Sequence, residues 1–98
     1  MLSFNELINS GRLVLVDFYA TWCGPCKMMP PILKELKNFV GDKAAIIKID
    51  VDANPAVAQQ FQIQGVPTLV LFRNGQAIWR QSGVVPARNL QRVIEQYL

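Results

Sequence analysis

Two cysteines stand three positions apart in Trp22-Cys23-Gly24-Pro25-Cys26-Lys27, and the 98-residue chain has no histidine. The segment lies where an apolar run ends and a helical pattern begins. A C-x-x-C pair at a helix start brings both sulfurs within bonding reach and sets the first beside unpaired backbone N–H groups. Those groups and the helix dipole favour negative charge, which predicts a depressed thiol pKa for Cys23. Cys26, one turn further in, is expected to be more buried and less reactive. Three readings stand on these residues alone: a redox-active dithiol, a structural disulfide and half of a metal site. The loop between the cysteines is so short that closing it as a permanent staple adds little stability. A structural zinc site takes four ligands, usually Cys and His, so the rest would have to be carboxylates or come from a second chain. Without histidine, a Ser–His or Cys–His nucleophilic pair is excluded.

Asp17 is the second candidate. It interrupts Leu13-Val14-Leu15-Val16-Asp17-Phe18-Tyr19, a run that reads as a strand buried on both faces. A carboxylate there is costly unless partnered or protonated, and burial raises its pKa towards the range useful for proton transfer. If Cys26 must lose a proton during a reaction, Asp17 is the natural base. The alternative is an acid kept only for a structural ion pair. Asp50, Asp52 and Glu35 read as surface or cap residues.

The elements that must position these groups follow from local patterns. Ser3 and Glu6 make a capping box ahead of Phe4, Leu7 and Ile8, and Gly11 stops that short helix. Residues 25–40 turn helical, with Ile32, Leu33, Leu36, Phe39 and Val40 on one side. Pro30-Pro31 inside this stretch remove two backbone donors and predict a kink. Gly41-Asp42 ends it, and residues 45–50 form a second strand. Asn54 as N-cap and Pro55 as first residue open another helix, with Val57, Ala58 and Phe61 facing in. Thr68–Arg73 and Gln76–Ser82 are strands joined at Asn74-Gly75, a strong hairpin signal. Leu90, Val93, Ile94, Tyr97 and Leu98 recur at helical spacing. Only Met1 and Leu2 precede the first helix. The order is α-β-α-β-α-β-β-α, an α/β layered fold with a mixed sheet, and residues 1–98 read as a single domain.

Composition narrows the function classes. The chain is 51% apolar and 17% charged, so it has enough apolar material for a core and does not resemble a disordered segment. No apolar run approaches the ~18 residues of a membrane span, and no secretory signal is visible. The net charge of +3 is spread over scattered arginines rather than concentrated in a basic patch, which argues against a nucleic-acid partner.

From Val16 to Lys27 the chain resembles the active-site stretch of the thioredoxin family. The resemblance continues through Asp50, Asn54-Pro55, Gly65-Val66-Pro67-Thr68, Phe72-Arg73-Asn74-Gly75 and Gly83, in matching order over nearly the whole chain. It implies a thioredoxin-like fold, with helices flanking both faces of a central mixed sheet. Four strands are expected, because no room remains for a usual N-terminal one. The strand at residues 45–50 would then be a sheet edge.

The resemblance also implies a protein-disulfide reductase. Cys23 would attack, Cys26 would resolve the mixed disulfide, and Asp17 would transfer the proton with Lys48 as its charge partner. Pro67 would be a cis-proline facing the disulfide, and Val66 backbone groups would pair with substrate. Trp22, Gly24, Pro25, Val66, Gly83 and Val84 would complete the docking surface. No cofactor is implied beyond the redox-active disulfide, with electrons supplied by thioredoxin reductase. Disulfide-containing proteins would be the substrates of a mainly monomeric, cytoplasmic enzyme with no nucleic-acid or membrane partner. Lowering a thiol pKa from about 8.5 to about 7, the value associated with this motif, raises the thiolate fraction at pH 7 roughly 16-fold. The accompanying loss of nucleophilicity takes back roughly fivefold, so the net gain is about threefold and redox poise is the larger consequence. Gly24-Pro25 is similar to the dipeptide of the family's reducing members. Tyr19 stands where the family commonly has Trp, Pro30 adds a second proline, and Ser82 precedes Gly83 where an apolar residue is common. An exported oxidase or isomerase, and a binding module with an idle dithiol, are the competing functions.

Overall fold

A computed structural model describes residues 3–98, and Met1 and Leu2, on which the count of residues before the first helix depends, lie outside them. The elements are α1 (Phe4–Ile8), β1 (Leu13–Tyr19), α2 (Met29–Val40), β2 (Ala44–Asp50), α3 (Pro55–Gln60), β3 (Thr68–Arg73), β4 (Gln76–Ser82) and α4 (Ala87–Gln96). Among the described residues the sheet has four strands in the order β2-β1-β3-β4. β1 runs parallel to β2 and antiparallel to β3, and β3 and β4 form a hairpin.

Alternation along β1 sorts the core into two layers. Leu13 and Leu15 face α2 and α4, packing with Met29, Leu33, Leu36, Leu90 and Ile94. Val14, Val16 and Phe18 face α1 and α3, with Ile8, Phe72, Val57 and Phe61. Phe61 and Phe72 meet edge-on at 4.9 Å in this second layer, a favoured aromatic geometry. Asp17 falls on the Leu13 and Leu15 side, beneath the start of α2.

The capping box forms as expected, with the Glu6 N–H donating to Ser3 Oγ and the Ser3 N–H to Glu6 Oε1. Pro30-Pro31 act differently from a kink in mid-helix. Residues Pro25–Met28 form a 3-10 helix, and the α-helix begins only at Met29. Both prolines thus fall in the first α-helical turn, where their missing N–H groups are tolerated. Phe39 is 48% exposed, because the buried stripe runs through Met29, Leu33, Leu36 and Val40 and leaves it outside. The Asn54 side chain does not cap α3; its Nδ2 donates to the Asp50 carbonyl at 3.0 Å.

The hairpin tip is fitted to α1. Asn74 and Gly75 have φ of 51° and 79°, as a two-residue turn of this twist requires. The Gly75 N–H donates to the Ile8 carbonyl at 2.8 Å, and a Cβ at Gly75 would lie 2.5 Å from Asn9 Oδ1. Gly75→Ala is therefore expected to cost about 1–2 kcal/mol from the left-handed backbone alone, and more if Asn9 cannot move. Urea unfolding checks this, and an unchanged midpoint would show that the tip absorbs the methyl group freely.

Candidate active site

The site is built where β1 ends. The loop after Tyr19 turns back, with the Cys23 N–H donating to the Ala20 carbonyl at 3.2 Å and the Lys27 N–H to the Gly24 carbonyl at 3.0 Å. Pro25 opens the 3-10 helix. Cys23 and Cys26 are joined as a disulfide with Cα atoms 5.3 Å apart, inside the ordinary range for such a bond. The Cys26 N–H donates to Cys23 Sγ at 3.1 Å. Cys23 Sγ also lies 3.6 Å from the Val66 carbonyl oxygen.

The expected difference in burial between the two cysteines is absent. Cys23 is 4% and Cys26 5% exposed, because Tyr19, Val51 and Val66 pack around both and Ala20. What distinguishes the sulfurs is the amide donor held against Cys23.

The Val66-Pro67 peptide bond is cis, and Val66 faces the disulfide. The Pro67 carbonyl accepts the Gly83 N–H at 2.8 Å, and Gly83 has φ of 93°, a conformation costly for side-chain-bearing residues. Gly83 is thereby brought beside Pro67. Val84 is half-buried and packs on the α2–α4 core. The Ser82 hydroxyl is tied to Thr68 Oγ1 at 3.0 Å. Gly24, Pro25 and Trp22 are exposed around the disulfide.

Trp22 is 71% exposed, yet it is not free. Its Nε1–H donates to Asp52 Oδ2 at 2.8 Å. Asp52, read from the sequence as a surface or cap residue, therefore orients the indole, and no local signal links residues thirty positions apart. Asp50 does cap the turn, its Oδ1 accepting the Asp52 N–H at 2.9 Å.

Behind the disulfide a cavity of about 230 Å³ is lined by Asp17, Tyr19, Ala20, Thr21, Cys26, Lys27, Pro30 and Lys48. Asp17 is 1% exposed, and its Oδ1 has no hydrogen-bond partner. Burial pushes its pKa up to about 6, while the Lys48 charge pulls it back down. Sheet register sets Lys48 directly opposite Asp17. Asp17 and Cys26 thus open onto one space that is roomy enough for water, at about 30 Å³ each. Among the described residues no group of three or more His, Cys, Asp and Glu side chains could hold a metal ion. No described helix is long and apolar enough to cross a membrane.

A C-x-x-C disulfide at a helix start, backed by a buried carboxyl on a mixed sheet, is the apparatus of a thiol–disulfide oxidoreductase. Comparison with known proteins specifies the family. The thioredoxin family model matches residues 2–96. A thioredoxin from Staphylococcus saprophyticus is 47% identical over 96 residues, covering 98% of this chain and 91% of that protein. The structure superposes on a mutant thioredoxin from Halobacterium salinarum with a TM-score of 0.86 at 41% identity, covering 95% of this chain and 80% of the other. It also superposes on oxidised mitochondrial thioredoxin 3 from Saccharomyces cerevisiae, with a TM-score of 0.85 at 38% identity and coverage of 95% and 86%. The chain belongs to the thioredoxin family and is a protein-disulfide oxidoreductase.

Proposed function

We propose that this single-domain chain works as a reductase of disulfide-containing proteins, recharged by thioredoxin reductase. The observation that carries the direction of attack is the Cys26 N–H held 3.1 Å from Cys23 Sγ. A donor aimed at sulfur stabilises negative charge there. In the reduced protein the Cys23 thiolate attacks one sulfur of the substrate disulfide, forming a mixed disulfide and releasing one substrate thiolate. Asp17 takes the Cys26 proton through the shared cavity. The Cys26 thiolate then attacks Cys23 Sγ, releasing the second substrate thiolate and closing the Cys23–Cys26 disulfide. Two electrons pass to substrate, and the reductase returns two electrons, with the proton held on Asp17 going back to Cys26 and Cys23 left as the thiolate.

Lys48 sets the charge near Asp17. Trp22, Gly24, Pro25, Val66, Pro67, Gly83 and Val84 form the substrate face, with Val66 backbone groups pairing to an extended substrate segment. The chemistry uses no cofactor beyond the dithiol itself. The reading extends to a cytoplasmic, mainly monomeric protein without nucleic-acid or membrane partners, in line with its bacterial thioredoxin relatives and, for nucleic acid, with positive charge that is scattered rather than clustered.

Brief iodoacetamide treatment of the reduced protein near pH 7, followed by mass mapping, tests the assignment of the two thiols. Cys23 is expected to label faster than Cys26 by at least about threefold, the net gain of a thiolate population partly offset by lower nucleophilicity. Equal labelling would refute the asymmetry.

A further inference from the structure

Asp17 and Lys48 are register partners on the parallel β1–β2 pair, and their side chains project from one face of the sheet within reach of each other. Here they do not pair. Asp17 Oδ1 is buried without a hydrogen-bond partner, and the Lys48 ammonium lies 5.8 Å from the centroid of the Tyr19 ring. Tyr19 is two residues beyond Asp17 on the same strand, so both side chains project from one face. All three residues line the cavity that reaches Cys26. An ammonium within about 6 Å of an aromatic face is attracted to it.

We propose that Tyr19 is a positioning residue: its ring holds the Lys48 ammonium off the Asp17 carboxyl, which leaves that carboxyl unpaired and able to accept a proton beside Cys26. The inference rests on the reading of Asp17 as proton acceptor. Without the ring, Lys48 is free to close on Asp17, and a contact ion pair would hold the carboxylate ionised to lower pH. The phenol ring thus sets how strongly a neighbouring charge acts on a third group.

The other charged groups around Asp17 leave this geometry intact. From the 3-10 helix, Cys26 and Lys27 line the same cavity. From α2, Lys34 and Lys37 border the adjoining groove over Ile46 and Lys48, and Lys37 Nζ already donates to the Gly41 carbonyl at 2.7 Å. On β2, Asp50 Oδ1 accepts the Asp52 and Ala53 N–H groups. From β3, the residue opposite Asp17 is the apolar Leu69.

Two readouts on the full chain test the proposal: carbon-13 titration of the Asp17 carboxyl by NMR, and the pH profile of mixed-disulfide resolution. Tyr19→Phe, which keeps an aromatic face, is expected to leave the Asp17 midpoint in place. Tyr19→Leu is expected to lower it by about 1 pH unit, the small end of the effect of an opposite charge at contact distance. In a Lys48→Met background, Tyr19→Leu is expected to move the midpoint no further, because the two substitutions act through one interaction. A midpoint unmoved by Tyr19→Leu, or moved equally with and without Lys48, would overturn the proposal. A midpoint that shifts while the resolution profile does not would support positioning and refute the role of Asp17 in proton transfer, so the two failures are distinguishable.

Discussion

Cys23→Ser is expected to bring insulin-disulfide reduction by dithiothreitol down to the uncatalysed background, a loss of at least about 10³-fold. The serine hydroxyl has neither the acidity nor the nucleophilicity to open a disulfide, and removing a covalent nucleophile costs orders of magnitude rather than factors. The Cys26 N–H would still point at the replaced atom, so the loss reports chemistry and not a collapsed site. Cys26→Ser should behave differently. Its Cys23 retains the amide donor and still attacks, but the mixed disulfide cannot resolve and accumulates as an adduct visible by intact mass. Substantial turnover by Cys23→Ser, or by both variants alike, would contradict the assignment and point to a binding role with an idle dithiol.

Asp17→Asn is expected to slow mixed-disulfide resolution by about 10²-fold near pH 7, the lower end of what a positioned base supplies. Quenched single-turnover reactions across pH 6–9 would show it, and an unchanged rate throughout that range would mean that the carboxyl has only a structural role. Stability moves the other way. Burial holds the Asp17 pKa at about 6 in the folded protein against 3.8 for an ordinary carboxyl. The folded state therefore binds the extra proton between those values. Its contribution to stability is complete below about pH 4 and is lost as pH rises through 6. The full difference amounts to roughly 3 kcal/mol. The asparagine variant lacks that decline, so its advantage in urea midpoint over the parent should be largest above pH 6 and shrink towards pH 4.

Much of this arrangement was legible in the sequence because its causes are local. The Ser3 and Glu6 pattern, the apolar run of β1, the Asn74-Gly75 turn and the spacing of Leu90 and Ile94 each specify an element through contacts within a few residues. Asp17 stood out because a carboxyl in a buried strand violates the surrounding pattern. Pairings made by the tertiary fold were less accessible. Nothing near Asp52 announces that it holds the Trp22 indole, and nothing near Tyr19 announces that its ring faces Lys48. The Pro30-Pro31 outcome depended on a choice the pattern leaves open: the chain can bend a continuous helix or change helix type ahead of the prolines. The equal burial of Cys23 and Cys26 was hidden for a similar reason, since Val66 arrives against Cys23 from forty-three positions away.

The outer rim of β2 has a consequence for handling the protein. The Val51 N–H donates to the Tyr19 carbonyl, and in a parallel ladder alternate residues bond to alternate sides. Ala45, Ile47 and Ile49 therefore face β1, while the backbones of Ile46 and Lys48 face outward. No described residue covers them. The Ala44 carbonyl takes the Lys37 ammonium at 3.4 Å and the Asp50 carbonyl takes Asn54, so only the middle of the strand is bare. From Ala44 through Ile49 the one charged side chain is Lys48. An uncharged β-prone segment on an open rim is a template for stacking of further chains, and a lysine within it acts as a gatekeeper. Lys48 is thus expected to hinder stacking at the rim as well as lowering the pKa of the carboxyl beside it. Neutralising it removes both effects together, and Lys48→Met belongs in dilute solution.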